Sequence, residues 1–233
     1  MGQAHGSSER TIDPARLSAA ERFRPEGGAV VEMHCHSSDR SLDSGVRADL
    51  IAEQAVFRGL DAVCMTEHNS LWSAAELREL GERYGILLLP AMELGTDAGH
   101  VLVFGLERYA PELLTLTRLR EVVQSEGGAM VLAHPMRPFA GHRPPWEQFP
   151  VYFDGVEVVN GDHSDTVDGY LVRQAEGLGL ATIAGSDAHS KIAVGRVATA
   201  FAERVRSIED VVRQIRGRQV TPIDFRPRTT ASR

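Results

Sequence analysis

At 233 residues, 42% of them hydrophobic and 24% charged, the chain has an ordinary globular composition and is long enough to bury a core without covalent staples. Its formal net charge of −7 argues against a broadly basic nucleic-acid surface, though not against a local basic pocket. The two cysteines, Cys35 and Cys64, sit in apolar runs and are expected as buried reduced thiols; with no signal peptide and no run near the roughly 20 apolar residues of a membrane helix, the expected compartment is the cytoplasm.

Residues 1–28 form a polar extension. Within it the sequence predicts a short helix over 14–22, with Asp13 as N-cap and Pro14 at the first helical position. From residue 29 the pattern becomes regular. Strand-like runs are expected at 29–35, 61–66, 86–92, 129–133, 154–159 and 181–185, with helical stretches at 46–58, 73–83, 111–126 and 164–178. A strand near 197–202 and a helix near 207–217 follow. Alternation of this kind predicts parallel βαβ units, and no composition break divides 29–220, which is expected to be one domain with a tail at 221–233. One connection differs: between ILLLPAMEL and HVLVFG there is room only for GTDAG, which predicts an antiparallel hairpin and makes His100 a neighbour of Glu93. Residues 135–150 contain five prolines and are expected to be a long loop, a candidate lid or substrate wall.

The chemistry-bearing residues fall at the ends of these runs. His34 and His36 end the first, spaced i, i+2 so that both imidazoles share one face of an extended strand, and Asp43 follows in the next loop. His68 ends the second run, Glu93 the third, and His134 ends AMVLAH. Asn160 and His163 follow GVEVV, while Asp187 and His189 follow LATIA with the same i, i+2 spacing. Seven of the nine histidines therefore lie in strand-end loops or at the hairpin turn, whereas chance would place more on helix surfaces. Glu93, behind an apolar run, is a costly buried charge unless it is paired or bound to metal. Mixed histidine and carboxylate donors favour Zn²⁺, Mn²⁺ or Fe²⁺, and so many of them suit two or three ions rather than one. There is no GxSxG, Walker or GxGxxG motif to compete.

These residues resemble those of the PHP (polymerase and histidinol phosphatase) family over roughly 30–200. The matching elements are HCHSSDRSLDSG, GLDAVCMTEHN, AMELGTDAGHVLVFG, VLAHP, DGVEVVNG and GSDAHS, in the family's order. The resemblance implies a distorted (β/α)7 barrel of the PHP type, a di- or trinuclear metal site and phosphoesterase chemistry. By position, the implied ligands are His34, His36, Asp43, His68, Glu93, His100, His134, Asp187 and His189, with His163 competing with His134 for one place. The family usually has Asp where this chain carries Glu67, a change beside the site rather than in a ligand. With no polymerase module in this sequence, it is expected among the family's short stand-alone members.

The function expected from sequence is hydrolysis of a small phosphorylated substrate, a phosphomonoester or nucleotide, by a metal-bridging hydroxide attacking in line. His189 or His163 is the expected general acid, and Arg137, Arg143, Lys191 and Arg196 are candidate phosphate clamps. Alternatives are a nuclease, which the acidic balance does not favour, a metallohydrolase of C–N or ester bonds, and a non-catalytic metal-binding domain. No membrane partner is expected.

Overall fold

The computed structural model describes residues 18–226, apart from 139, 140, 162 and 164 and the side chains of 165–168. It opens with a short helix, α1 (Ala19–Phe23), started by Ser18 rather than by Asp13, which lies outside the described residues. The reason is local: Ser18 and Glu21 form a reciprocal capping box, Ser18 Oγ accepting from Glu21 N–H and the Glu21 carboxylate from Ser18 N–H. Arg24 then ties this segment to the domain through Asp61 at 2.7 Å.

Among the described residues nine strands follow: β1 (Ala29–Glu32), β2 (Ala62–His68), β3 (Leu87–Thr96), β4 (Gly99–Phe104), β5 (Ala129–Leu132), β6 (Gly155–Asn160), β7 (Ala181–Gly185), β8 (Val197–Phe201) and β9 (Val220–Asp224). Helices α2 (Ala48–Arg58), α3 (Ala74–Tyr84), α4 (Leu116–Glu126), α5 (Phe149–Tyr152), α6 (Asp165–Gly177) and α7 (Ile208–Arg216) lie between them. Sequence sets these boundaries directly in α3, which a Ser73–Glu76 capping box starts and Gly85, at φ +71°, stops.

All nine strands form one sheet in the order β7-β6-β5-β4-β3-β2-β1-β8-β9. The pairings of β1 with β2, β2 with β3, β5 with β6 and β6 with β7 are parallel, while β4 and β8 run against their neighbours. The sheet curls into a nearly closed barrel. Its seam is made by side chains: Thr199 Oγ1 on β8 accepts from Ala184 N–H and donates to Ala184 O on β7, and Ser186 Oγ donates to Val197 O. This is the distorted PHP-type barrel expected, the distortion being the two antiparallel strands.

The hairpin is present, and tighter than the five-residue connection: β3 reaches Thr96, which pairs with Gly99, and Gly95 pairs with His100. β9 was not expected, since 221–233 read as tail. It pairs with β8, with Pro222 opposite Thr199, a residue that lacks a ladder donor and so hides the strand from sequence patterning.

Inside the barrel, alternate strand residues including Val31, Met33, Cys64, Leu102, Phe104, Val131, Ile183 and Phe201 form one apolar cluster, joined by Val211, Val212 and Ile215 of α7. Two further clusters fill the space between the sheet and the outer helices. Both cysteines are free and buried, and burial pushes their thiol pKa values up, as expected for inert core thiols. Among the described residues no helix is long and apolar enough to cross a membrane.

Candidate metal centre

The rim of the barrel at the C-terminal ends of the parallel strands collects the histidines and acids. Beyond β1 the chain stays extended: His36 N–H donates to Ala188 O at 3.0 Å, Ala188 N–H reaches His34 O at 3.4 Å, and Cys35 bridges Ala188 in parallel. This places the His34/His36 pair directly beside the Asp187/His189 pair. Three residues at this rim hold positive φ without being glycine, Asn69 at +46°, His134 at +24° and Asp187 at +50°, a conformation uncommon for residues with a β-carbon.

Glu93 is the hub. Its side chain is fully buried, and each oxygen has its own set of imidazoles. Oε1 lies 2.8 Å from His100 Nδ1 and 2.9 Å from His134 Nε2. Oε2 lies 3.0 Å from His68 Nδ1, 3.2 Å from His36 Nε2 and 3.4 Å from His34 Nε2. Asp187 Oδ1 stands 3.4 Å and 3.3 Å from the same nitrogens of His34 and His36. At the outer edge Asp43 Oδ2 reaches His68 Nε2 at 3.0 Å and His189 Nε2 at 3.2 Å. Three overlapping groups have donor atoms all within 4.8 Å of one another: His34, His36, Glu93 and Asp187; His68, Glu93 and His100; and His36, His68 and His189. The structure therefore brings all nine sequence-nominated ligand positions into one cluster.

The electrostatics match a site built for cations. Burial opposes the charged form of Glu93, but His34, His100 and His134 outweigh it and hold the carboxyl well below its usual range. Asp187 is likewise lowered against burial, chiefly by His34 and His36. Burial works against the His34 imidazolium too, yet Glu157, Asp187 and Glu93 raise its pKa well above the ordinary histidine value. Despite these contacts, His34 Nε2, both ring nitrogens of His36 and Glu93 Oε2 are buried with no hydrogen-bond partner. Buried polar atoms are rarely left so, and here the Nε2 atoms of His34 and His36 both face Glu93 Oε2. The nitrogen and carboxylate donors fit zinc-, manganese- or iron-type divalent ions.

Three acids behind this cluster were not nominated from sequence as part of it. Glu32, fully buried, accepts the backbone N–H groups of His34, Ser186 and Gly195, and so joins the end of β1 to the loops after β7. Glu157 accepts from the His34 ring, the His134 backbone and Asn160. Glu67, noted only as a departure from the family, accepts from Ser37, Ser41 and the Trp72 indole and holds the β1–α2 loop. A signal for the first two was present: each is a lone acid inside an otherwise apolar strand, VVEMH and GVEVV.

The other nominated residues are more dispersed. Arg137 reaches the cluster, with Nη2 2.7 Å from Asp187 Oδ2. His163 is not in any of the three groups; its backbone N–H donates to Asn160 O and its carbonyl accepts from Arg226. Arg196 lines a separate cleft of about 270 Å³ with Arg58, Ile192 and Arg226. Lys191 pairs with Glu53 of α2 at 2.6 Å, and Arg143 donates to the carbonyls of Ala98 and Pro135. In the 135–150 loop, a single 3-10 turn at Trp146–Gln148 runs into α5, and Trp146 packs on Phe149 with ring centroids 4.4 Å apart.

Comparison with known proteins bears on the family and the fold. A family model described as PHP-associated matches residues 172–220. An uncharacterized protein of Methanocaldococcus jannaschii is 28% identical over 120 residues, covering 50% of this chain and 68% of that one. The phosphoribosyl 1,2-cyclic phosphate 1,2-diphosphodiesterase of Eggerthella lenta is 30% identical over 93 residues, 37% of this chain, so the match spans only 35% of that enzyme. Error-prone DNA polymerases match over just 6% to 10% of their length. Among solved structures, a two-domain protein of Bacteroides vulgatus containing a predicted PHP-like metal-dependent phosphoesterase superposes with a TM-score of 0.66 at 21% identity, covering 86% of this chain and 66% of that one. The ordered motifs, the barrel and these matches support the PHP family, and the fold is that of PHP-like metal-dependent phosphoesterases of known structure.

Proposed function

We propose that this protein is a metal-dependent phosphoesterase acting on a small phosphorylated substrate. The observation that carries the reading is Glu93, a fully buried carboxylate common to two candidate donor groups, one with His34, His36 and Asp187 and the other with His68 and His100. In this reading His34, His36, Glu93 and Asp187 would hold one divalent ion, and His68, Glu93 and His100, with His134 beside them, would hold another. Ions in such positions lower the pKa of bound water and offset charge on a phosphoryl group.

The chain's own residues supply the rest. Arg137, already facing Asp187, orients the anionic oxygens of the substrate. His189 has Nδ1 engaged by the Asp187 carbonyl at 2.9 Å, which turns Nε2 toward Asp43 at the exposed edge. That nitrogen is placed either to complete a third cation group with His36 and His68 or to give a proton to the leaving oxygen. These uses exclude one another, and metal stoichiometry distinguishes them.

The test is release of phosphate from a panel of phosphomonoesters, nucleotides and phosphodiesters by protein reconstituted with Mn²⁺, Fe²⁺ or Zn²⁺. The expected result is metal-dependent hydrolysis of a monoester class, reduced to background in His36→Ala and Asp187→Ala. Hydrolysis confined to diesters would move the reading toward the type of reaction named for the Eggerthella lenta relative. Bound metal with no hydrolysis of any phosphoester would overturn it.

A further inference from the structure

Glu157 of β6 is fully buried and belongs to none of the three donor groups, yet it touches at once His34, a member of one, and His134, which packs beside another. Its Oε1 lies 2.8 Å from His34 Nδ1. Its Oε2 accepts the His134 backbone N–H at 2.8 Å and Asn160 Nδ2 at 2.9 Å. We propose that Glu157 is a positioning residue that fixes the tautomer of His34 and the pose of His134, and thereby sets the affinity of the centre for metal. The inference rests on the metal-site reading above.

A carboxylate only accepts hydrogen bonds, so His34 Nδ1 must carry the hydrogen. In the neutral ring that leaves Nε2 bare, and Nε2 is the atom that faces Glu93 and Asp187 with no hydrogen-bond partner. The lone pair thus points where a cation would sit. On its other side, Glu157 pins the backbone of His134 at φ +24°, which a β-carbon disfavours, and from that pose the ring reaches Glu93 Oε1. Asn160 fixes the plane of the carboxylate. Space for the arrangement comes from Gly185, where a β-carbon would stand 2.6 Å from Glu157 Oε1 and 2.3 Å from His34 Cβ.

Glu157→Gln separates this role from a merely structural one. The amide keeps the shape but has one accepting and one donating end. The Oε2 position faces two donors, so the amide oxygen belongs there and its NH2 turns to His34 Nδ1. Nδ1 must then accept, and the ring hydrogen moves to Nε2, where it blocks a cation. The variant also gives up a buried ion pair with His34, so its metal-free unfolding temperature is expected to fall. The positioning role is read from zinc binding at a temperature where both proteins are folded, expected to be about 10–100-fold weaker by competition with a chromophoric chelator.

A second measurement needs no variant. In zinc-loaded wild-type protein with 15N-labelled histidine, His34 is expected as the Nδ1–H form. Wild-type zinc affinity in E157Q, or an Nε2–H form of His34 in the wild type, would overturn the positioning role while leaving the metal centre in place. A wild-type protein that takes up no zinc would overturn the centre itself and this inference with it.

Discussion

Gly185 shows how little room the inner rim allows. A β-carbon there meets both His34 and Glu157 below van der Waals distance, and neither partner is at a flexible surface. Gly185→Ala is therefore expected to cost about 1–3 kcal/mol of stability in the metal-free protein and to weaken metal binding in the same step, read by thermal unfolding and metal titration. Residues of this kind mark the limit of sequence reading. His34, His36, Asp187 and His189 were legible because an i, i+2 pair at the end of an apolar run announces a shared face. Glu157 was not, because its partner His34 lies 123 residues away and only the folded sheet brings them together. Glu93 fell between: its burial cost was visible in AMEL, but the division of its two oxygens among five imidazoles was not.

Among the elements, the alternating strands and helices were legible from periodicity, and so was the hairpin, since five residues cannot hold a crossover helix. The directions of β8 and β9 and the closure of the sheet were not. Closure depends on Thr199, whose hydroxyl replaces a backbone ladder between β7 and β8 by engaging both polar groups of Ala184. A threonine in an apolar strand reads only as a β-former. Thr199→Val preserves the shape and removes the hydroxyl, leaving the Ala184 N–H without that acceptor in a buried seam. The expected loss is about 1–3 kcal/mol by urea unfolding. Because His34 sits beside Gly185, one residue after that seam, weaker metal binding should accompany the loss; unchanged stability would show that the seam contributes nothing to closure.

For the whole molecule, the same cluster makes stability and metal binding respond to pH in opposite ways. Glu93 and Asp187 have carboxyl pKa values below those of an unfolded chain, so without metal their contribution is present above about pH 4 and lost as pH falls through the lowered values. His34 is raised, so its contribution is full below about pH 6.5 and fades as pH climbs through its folded value. The metal-free contribution is thus greatest between these limits. Metal requires the imidazoles without their extra protons, so binding releases protons and strengthens over the same rise in pH that weakens the metal-free cluster. A cation at 100 times its dissociation constant stabilises the fold by about 2.7 kcal/mol. The difference in unfolding temperature between metal-loaded and chelator-treated protein should therefore widen from pH 6.5 upward. Buffers of differing ionisation enthalpy should report the proton release calorimetrically. A difference that stays constant with pH would mean that His34 is not deprotonated by binding, and that the cation sits elsewhere on the rim.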